Sequence, residues 1–321
     1  MTRVLVTGGT GYIGSVVVNE LVGSRRVQHV RIIDSSNGAP PPDLPEKCES
    51  IHADLRNYED IGVALKDVDT VFHFAAIVGD AACEKAPKQA LDVNVESVKK
   101  LIALSLKNDV ERTVFCSTCT VYGLQHNNDA VNEFTKPNPT SLYGSTKLEA
   151  ERLFQKAHEE NGLNFCTLRL GTVYGPSDPS AMKFNIFPNL FVLNACRTKT
   201  IRLYGGDKWR PLLYTKDIAR AFMLAARAPK CGVSGETFNV GGNFENYTIR
   251  QVAEIAAEEV HGTKIVEEPL PPDPRSYKVN FDKIQKVLGF KPLHALRKGV
   301  RELRDLIEKG IYNDTLVKSL K

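Results

Sequence analysis

Ten residues near the N-terminus, VTGGTGYIGS (Val6–Ser15), restrict the fold more than any other stretch of the chain. They follow RVLVTG, a short apolar run rich in β-branched residues, and lead into GSVVVNELVGS, whose apolar positions have helical spacing. Gly8, Gly11 and Gly14 therefore fall where a strand turns sharply into a helix. One such glycine allows the turn, one lets backbone amides approach an anion, and one lets helix and strand pack closely. That context fits a pyrophosphate seat over Gly8, Gly11, Tyr12, Ile13 and Gly14. A ligand-free turn would use the same glycines, and Asp34 separates the two readings. It ends the next strand pattern, about twenty residues beyond the last glycine, where a carboxylate accepts hydrogen bonds from ribose hydroxyls and repels a 2′-phosphate. The expected cofactor is NAD rather than NADP. Asp54 and Leu55 close the third strand pattern, ESIHADL, at a place suited to an adenine contact.

Strand and helix patterns then alternate: YEDIGVALKDV, DTVFHFAAIVG, NVESVKKLIALSLKN, RTVFCSTCTVYG, STKLEAERLFQKAHEENG and NFCTLRLGTVYGP. Near-continuous apolar strands between helices of this length require a parallel sheet covered on both faces. The expected class is α/β, a Rossmann-type doubly wound parallel sheet with a smaller, mostly helical C-terminal substrate lobe. The texture changes after Pro176, yet TKDIARAFMLAARAP and ETFNVGG read as a helix and strand returning to the sheet. This places a nucleotide-binding domain at 1–175 with 211–242 returning to it, and the substrate lobe at 176–210 and 243–321. The cluster Ala39–Pro45 reads as a proline-rich loop.

Composition narrows the function classes. With 321 residues, 42% hydrophobic, 25% charged and a net charge of +4, the chain is ordinary for a globular enzyme. Its bases are interleaved with acids, so no nucleic-acid footprint is expected. Seven cysteines show no metal-binding spacing; Cys116 and Cys119 form a C-x-x-C without a second pair. Met1 runs into a strand pattern without a signal-peptide apolar region, and no run is long enough to span a bilayer. The expectations are a cytoplasmic protein with no metal, no membrane and no nucleic acid as partner.

Chemistry concentrates in SLYGSTK. Tyr143 and Lys147 are four residues apart, which stacks them on one helix face. A lysine ammonium there is expected to lower the phenol's pKa so that it serves as a base near neutral pH. Upstream, Ser117, Thr118 and Thr120 offer hydroxyls at a strand end.

These motifs resemble the extended short-chain dehydrogenase/reductases, specifically the NAD-dependent epimerase/dehydratase family acting on nucleotide sugars. The resemblance runs nearly end to end, through TGGTGYIG, HADLRN, VFHFAA, DVNVES, STCTVYG, YGSTKLEAE, LRLGTVYGP and YTKDIARA. It implies Tyr143 as catalytic base and Lys147 as both its activator and a nicotinamide-ribose ligand. Thr118 takes the Ser/Thr place of the triad. Phe74, Ala75, Ala76 and Asn94 line the cofactor, and a homodimer forms through VESVKKLIALSL and STKLEAERLFQKA. Dehydratases of the family carry an Asp-Glu pair directly after the triad threonine; Cys119 and Thr120 stand there, which points away from elimination.

On the substrate side, the resemblance implies that Arg210 and Arg275 clamp the diphosphate of a nucleoside diphosphate sugar, with Thr172 and the loop AAIVGDAACEK near the sugar. Asp80 and Cys83 of that loop either face the sugar or pack the loop. The implied activity is C4 epimerisation through a 4-keto intermediate. A one-way 4-dehydrogenase or 4-ketoreductase shares the first half-reaction. A non-catalytic NAD-binding regulator would have less reason to retain Tyr143 and Lys147.

Overall fold

The structure is a computed structural model and describes residues 2–35, 46–125, 129–269 and 273–312; the proline-rich loop expected at Ala39–Pro45 lies outside the described residues. Among the described residues twelve strands follow one another as β1 (Thr2–Thr7), β2 (Val27–Asp34), β3 (Cys48–His52), β4 (Thr70–His73), β5 (Arg112–Thr118), β6 (Phe165–Leu170), β7 (Thr172–Tyr174), β8 (Thr200–Leu203), β9 (Trp209–Tyr214), β10 (Glu236–Val240), β11 (Asn246–Thr248) and β12 (Lys264–Glu267). Seven of them form one parallel sheet in the order β3-β2-β1-β4-β5-β6-β10. This is the expected doubly wound α/β sheet, with the helices α1 (Tyr12–Gly23), α2 (Tyr58–Ala64), α3 (Asp80–Lys85), α4 (Pro87–Leu91), α5 (Ser97–Lys107) and α6 (Leu142–Asn161) in its first half.

Side-chain alternation along β1 explains the layering. Val4 and Val6 pack with Val17 and Leu21 of α1, whereas Leu5 packs with Ile61 of α2 and Leu101 of α5. β5 is buried along its whole length, so its residues serve both faces, with Phe115 against Phe154 of α6. Sequence punctuation sets the helix ends. Ser141 caps α6, its Oγ accepting the Gly144 N–H at 3.2 Å, and Gly162 ends it in the left-handed region.

Beyond α6 lie α7 (Phe187–Thr198), α8 (Thr215–Arg227), α9 (Lys230–Val233), α10 (Ile249–Glu259), α11 (Asp282–Leu288) and α12 (Leu296–Glu308). Two details differ from the sequence reading. NFCTLRLGTVYGP is not one strand: β6 stays in the large sheet, and after Gly171 the chain crosses as β7 to pair with β9, which β11 also joins. The C-terminal part is also less purely helical than expected, because β8 and β12 pair in parallel as a second small sheet. These strands have three to six residues each, too few for a readable period. Among the described residues no helix is long and apolar enough to cross a membrane.

Buried polar contacts fasten the second half to the sheet. Asp217 in α8, fully buried, accepts the backbone N–H groups of Leu293 and His294 at 3.0 and 3.1 Å. The Tyr12 hydroxyl donates to the Gly175 carbonyl at 2.8 Å and accepts from Asn189 Nδ2 at 2.9 Å. Below the carboxyl ends of β5 and β6, Arg169 donates to Glu151 through Nε at 3.0 Å and Nη2 at 2.6 Å. Ser117 Oγ donates to the same carboxylate at 2.5 Å, and Arg169 Nη1 reaches the Tyr122 hydroxyl at 3.0 Å.

Both partners of this ion pair are under a tenth exposed. Removing one leaves the other charged and buried, at a cost of about 3–5 kcal/mol. Arg169→Met is expected to lower the thermal midpoint by roughly 10 °C. The double variant Arg169→Met with Glu151→Leu should recover most of that loss. Calorimetry of the three proteins checks it, and equal loss in both variants would show that the pair itself, not the orphaned charge, carries the stability.

Candidate active site

A cleft of about 660 Å³ opens along the carboxyl ends of the sheet strands. Its floor is the turn from β1 into α1. Gly8 has φ +71°, and a Cβ there would lie 2.8 Å from the Ala75 backbone nitrogen; one on Gly14 would lie 2.1 Å from the Gly8 carbonyl oxygen. Only glycine fits either place. Gly11 caps α1 without a side-chain hydrogen bond, and no acidic residue stands in the first helical turn. The positive end of the helix therefore faces the cleft unscreened, which suits a pyrophosphate. Glycine cradle and uncapped helix together fit a dinucleotide.

The remaining nucleotide-side residues gather where sequence reasoning placed them, with one exception. Gly8, Gly11, Tyr12, Ile13, Gly14, Asp34, Asp54, Leu55, Phe74, Ala75 and Ala76 all line the cleft. Asp34 Oδ2 accepts hydrogen bonds from the Thr10 N–H at 3.1 Å and hydroxyl at 2.6 Å, which fixes the carboxylate beside the turn. Asp54 is gripped by Arg56, whose hydrogen bonds pull its pKa down. Asn94 is the exception. It sits in a π-helical turn, Asp92–Glu96, behind the cleft wall. Its amide is consumed by the Ile77 N–H at 2.8 Å, the Ile77 carbonyl at 3.0 Å and the Thr146 hydroxyl at 3.0 Å. It ties the loop after β4 to α6.

Thr118, Tyr143 and Lys147 converge on the middle of the cleft. Thr118 ends β5 and its hydroxyl donates to Thr120 Oγ1 at 3.0 Å. Tyr143 and Lys147 lie one turn apart at the start of α6, as their spacing requires. Their electrostatics differ from expectation. Burial pushes the Tyr143 phenol well above its ordinary value, with Cys116, Cys83 and Asp80 adding to the rise and Thr118 opposing it. Burial likewise lowers Lys147, whose ammonium rests 4.2 Å from the centre of the Phe115 ring. Burial thus opposes charge on both groups, on the phenol as a phenolate and on the lysine as an ammonium. Cys119 begins a short 3-10 turn and is not a strand residue. Its thiol is buried, bonded to the Arg169 carbonyl and pushed far up by burial.

The far wall brings together Asp80, Thr172, Arg210 and Arg275. Both arginines are already matched by acids. Arg275 donates to Asp273 through Nε at 2.8 Å and to Asp80 through Nη2 at 2.6 Å, while Arg210 Nη2 lies 3.1 Å from Asp273. Sequence reasoning missed Lys183, Asn185, Phe187 and Tyr277 on this wall. Burial lowers the pKa of Lys183. The available cue was a lysine set between Met182 and Phe184 ahead of a helix opened by Pro188. Among the described residues, no group of three or more His, Cys, Asp or Glu is placed to hold a metal ion.

Comparison with known proteins agrees with this layout. The profile of the NAD dependent epimerase/dehydratase family matches residues 4–241. The UDP-glucose 4-epimerase of Halalkalibacterium halodurans is 30% identical over 311 residues, covering 90% of each chain. The solved UDP-glucose 4-epimerase of Thermotoga maritima with UDP-glucose superposes with a TM-score of 0.85 at 26% identity, covering 96% of this chain and 99% of the other. The UDP-glucuronic acid 4-epimerase of Bacillus cereus, solved with UDP-glucuronic acid and NAD, gives the same TM-score, identity and coverage.

Asp34 generates a test of the nucleotide side. The wild-type protein should bind NAD on the order of 10²-fold more tightly than NADP, because a 2′-phosphate would meet the carboxylate. Asp34→Ala should shrink that ratio about tenfold or more. Fluorescence titrations with both dinucleotides measure it, and tighter NADP binding by the wild type would refute the assignment.

Proposed function

The chain belongs to the NAD dependent epimerase/dehydratase family, and from that premise we propose that it inverts a nucleoside diphosphate sugar at C4 through a 4-keto intermediate. The observation that carries this reading is the convergence of Thr118, Tyr143 and Lys147 between the glycine cradle and the arginine wall. NAD⁺, when bound, supplies the hydride acceptor and a cationic ring beside the pair. In this reading Tyr143 accepts the proton of the C4 hydroxyl and returns it after the sugar presents its other face. Thr118 stabilises the oxygen at C4, and the Lys147 ammonium stabilises the Tyr143 phenolate that takes up the proton. The lobe of 176–210 and 243–321 receives the nucleotide sugar, with Arg210 and Arg275 at its diphosphate and Thr172 near the sugar.

Elimination of water finds little support. Cys119 and Thr120 directly follow Thr118, and the Cys119 thiol is buried and engaged elsewhere, so no carboxylate there serves as acid or base. A one-way 4-dehydrogenase or 4-ketoreductase would use the same three residues. Incubating the purified protein with UDP-, GDP-, CDP- and dTDP-sugars separates the readings. Epimerisation yields the C4 epimer by NMR without accumulating NADH, whereas net oxidation accumulates NADH. The reading also includes a cytoplasmic homodimer joined through α5 and α6, on which Leu106 and Leu153 remain partly exposed.

Two substitutions test the roles. Tyr143→Phe should keep the fold and NAD binding but lower kcat on the order of 10²-fold or more, as loss of a positioned base does. Unchanged turnover would remove Tyr143 from the chemistry. Arg210→Ala should raise KM for the nucleotide sugar about tenfold, since charge-assisted pairs contribute roughly 1.5–3 kcal/mol. NAD affinity should not move, because the glycine turn lies at the other end of the cleft; a parallel fall in both affinities would count against the clamp.

A further inference from the structure

Asp80 contributes an unsatisfied acceptor to the substrate wall. It follows Gly79 at the start of α3, and its Oδ2 accepts Arg275 Nη2 at 2.6 Å. Its Oδ1 is buried and, among the described residues, has no hydrogen-bond partner. A buried carboxylate oxygen is costly to leave unpaired, so this atom calls for a donor arriving with the ligand. The nearest guanidinium is committed, since Arg275 also donates to Asp273 through Nε at 2.8 Å and 2.9 Å. Asp80 and Tyr143 line the same cleft, and the Asp80 charge adds to the rise of the phenol.

We propose that Asp80 determines sugar specificity: its free oxygen accepts a hydrogen bond from a hydroxyl of a neutral hexose, and its charge rejects hexuronic acids. The proposal rests on the C4 reading above for where the sugar lies. A hexose with C4 at Tyr143 carries C6 two bonds away and the C6 oxygen three, within the field of the Asp80 carboxylate. A C6 hydroxyl supplies the missing donor. A C6 carboxylate supplies none and adds a second negative charge, and like charges juxtaposed in a cleft are strongly disfavoured. The two similar solved structures, one with UDP-glucose and one with UDP-glucuronic acid, fall on either side of this distinction. Asp80 aligns this chain with the neutral substrate.

Calorimetric titration of the NAD-loaded protein with UDP-glucose and UDP-glucuronate, and with the corresponding galactose pair, tests the proposal. The neutral sugar should bind at least about 30-fold more tightly than its uronate. Asp80→Asn should compress that ratio to below about fivefold, chiefly by improving the uronate. Titration with UDP alone reports any effect of the substitution on the diphosphate contacts, which cancels from the ratio. Equal or tighter uronate binding by the wild type, as if Arg275 or Lys183 received the carboxylate, overturns the proposal without needing the variant. So does an unchanged ratio in a folded Asp80→Asn protein. A ratio as expected with no C4 inversion by NMR would sink the epimerase reading and leave the carboxylate filter standing; inversion with a ratio near one would do the reverse. Failure of every neutral sugar to bind would overturn both.

Discussion

Everything at the cleft depends on the chain leaving β1 and β4 toward opposite faces of the sheet. α1 covers the face of Val4 and Val6, and α5 covers the face of Leu5 and Val71. Neighbouring strands whose connections diverge leave their carboxyl ends uncovered, and ligands bind open α/β sheets at that switch point. The opening is shaped at one contact, where the Gly8 backbone approaches Ala75 more closely than any side chain permits. Thr7 ties the same two strands, accepting the Ala75 N–H at 3.2 Å through its hydroxyl. Asp34 and Thr118 then reach the cleft by ending their strands, Phe74 by following β4, and Thr172 by opening β7 just past β6.

A second constraint acts from below. Tyr143, Lys147 and Glu151 occupy successive turns of one face of α6, so the residue beneath the lysine is an acid. Alone, Glu151 would hold Lys147 as a tight ion pair and pull its ammonium away from the cleft. Arg169 prevents this by taking both carboxylate oxygens, at 3.0 Å and 2.6 Å. What remains for Lys147 is a diminished upward pull from Glu151 against a larger downward effect of burial. The ammonium therefore settles over Phe115 at the cleft edge, free to respond to charge above it.

Residues whose places follow from local geometry were legible in the sequence. The glycine turn, Asp34 at a strand end and Tyr143 with Lys147 at a helix start each need only a few neighbouring positions to be interpreted. Asn94 was read through a motif, and its hydrogen bonds to Ile77 and Thr146, 17 and 52 residues away, could not be read from sequence. Lys183 and Tyr277 were missed for a related reason. They reach the cleft from segments with no helical or strand period, so only tertiary packing reveals them. The Tyr143 phenol illustrates the same limit in energetic form. Spacing announces the lysine beside it, but not the burial that raises the phenol.

The acids on the arginine wall change what a clamp means here. Two bare arginines would present two uncompensated charges, and much of their attraction for a diphosphate would be spent on ordering long side chains. Asp273 instead bridges Arg210 and Arg275, and Asp80 shares Nη2 of Arg275 with it, so both guanidinium groups are set before a ligand arrives. Preorganisation lowers the entropy cost, while exchange of a carboxylate for a phosphate oxygen lowers the gross gain. The balance favours discrimination over affinity. An anion that cannot reproduce the bidentate geometry loses the carboxylate contact without replacing it, and a diphosphate spanning both guanidinium groups recovers each bond it displaces.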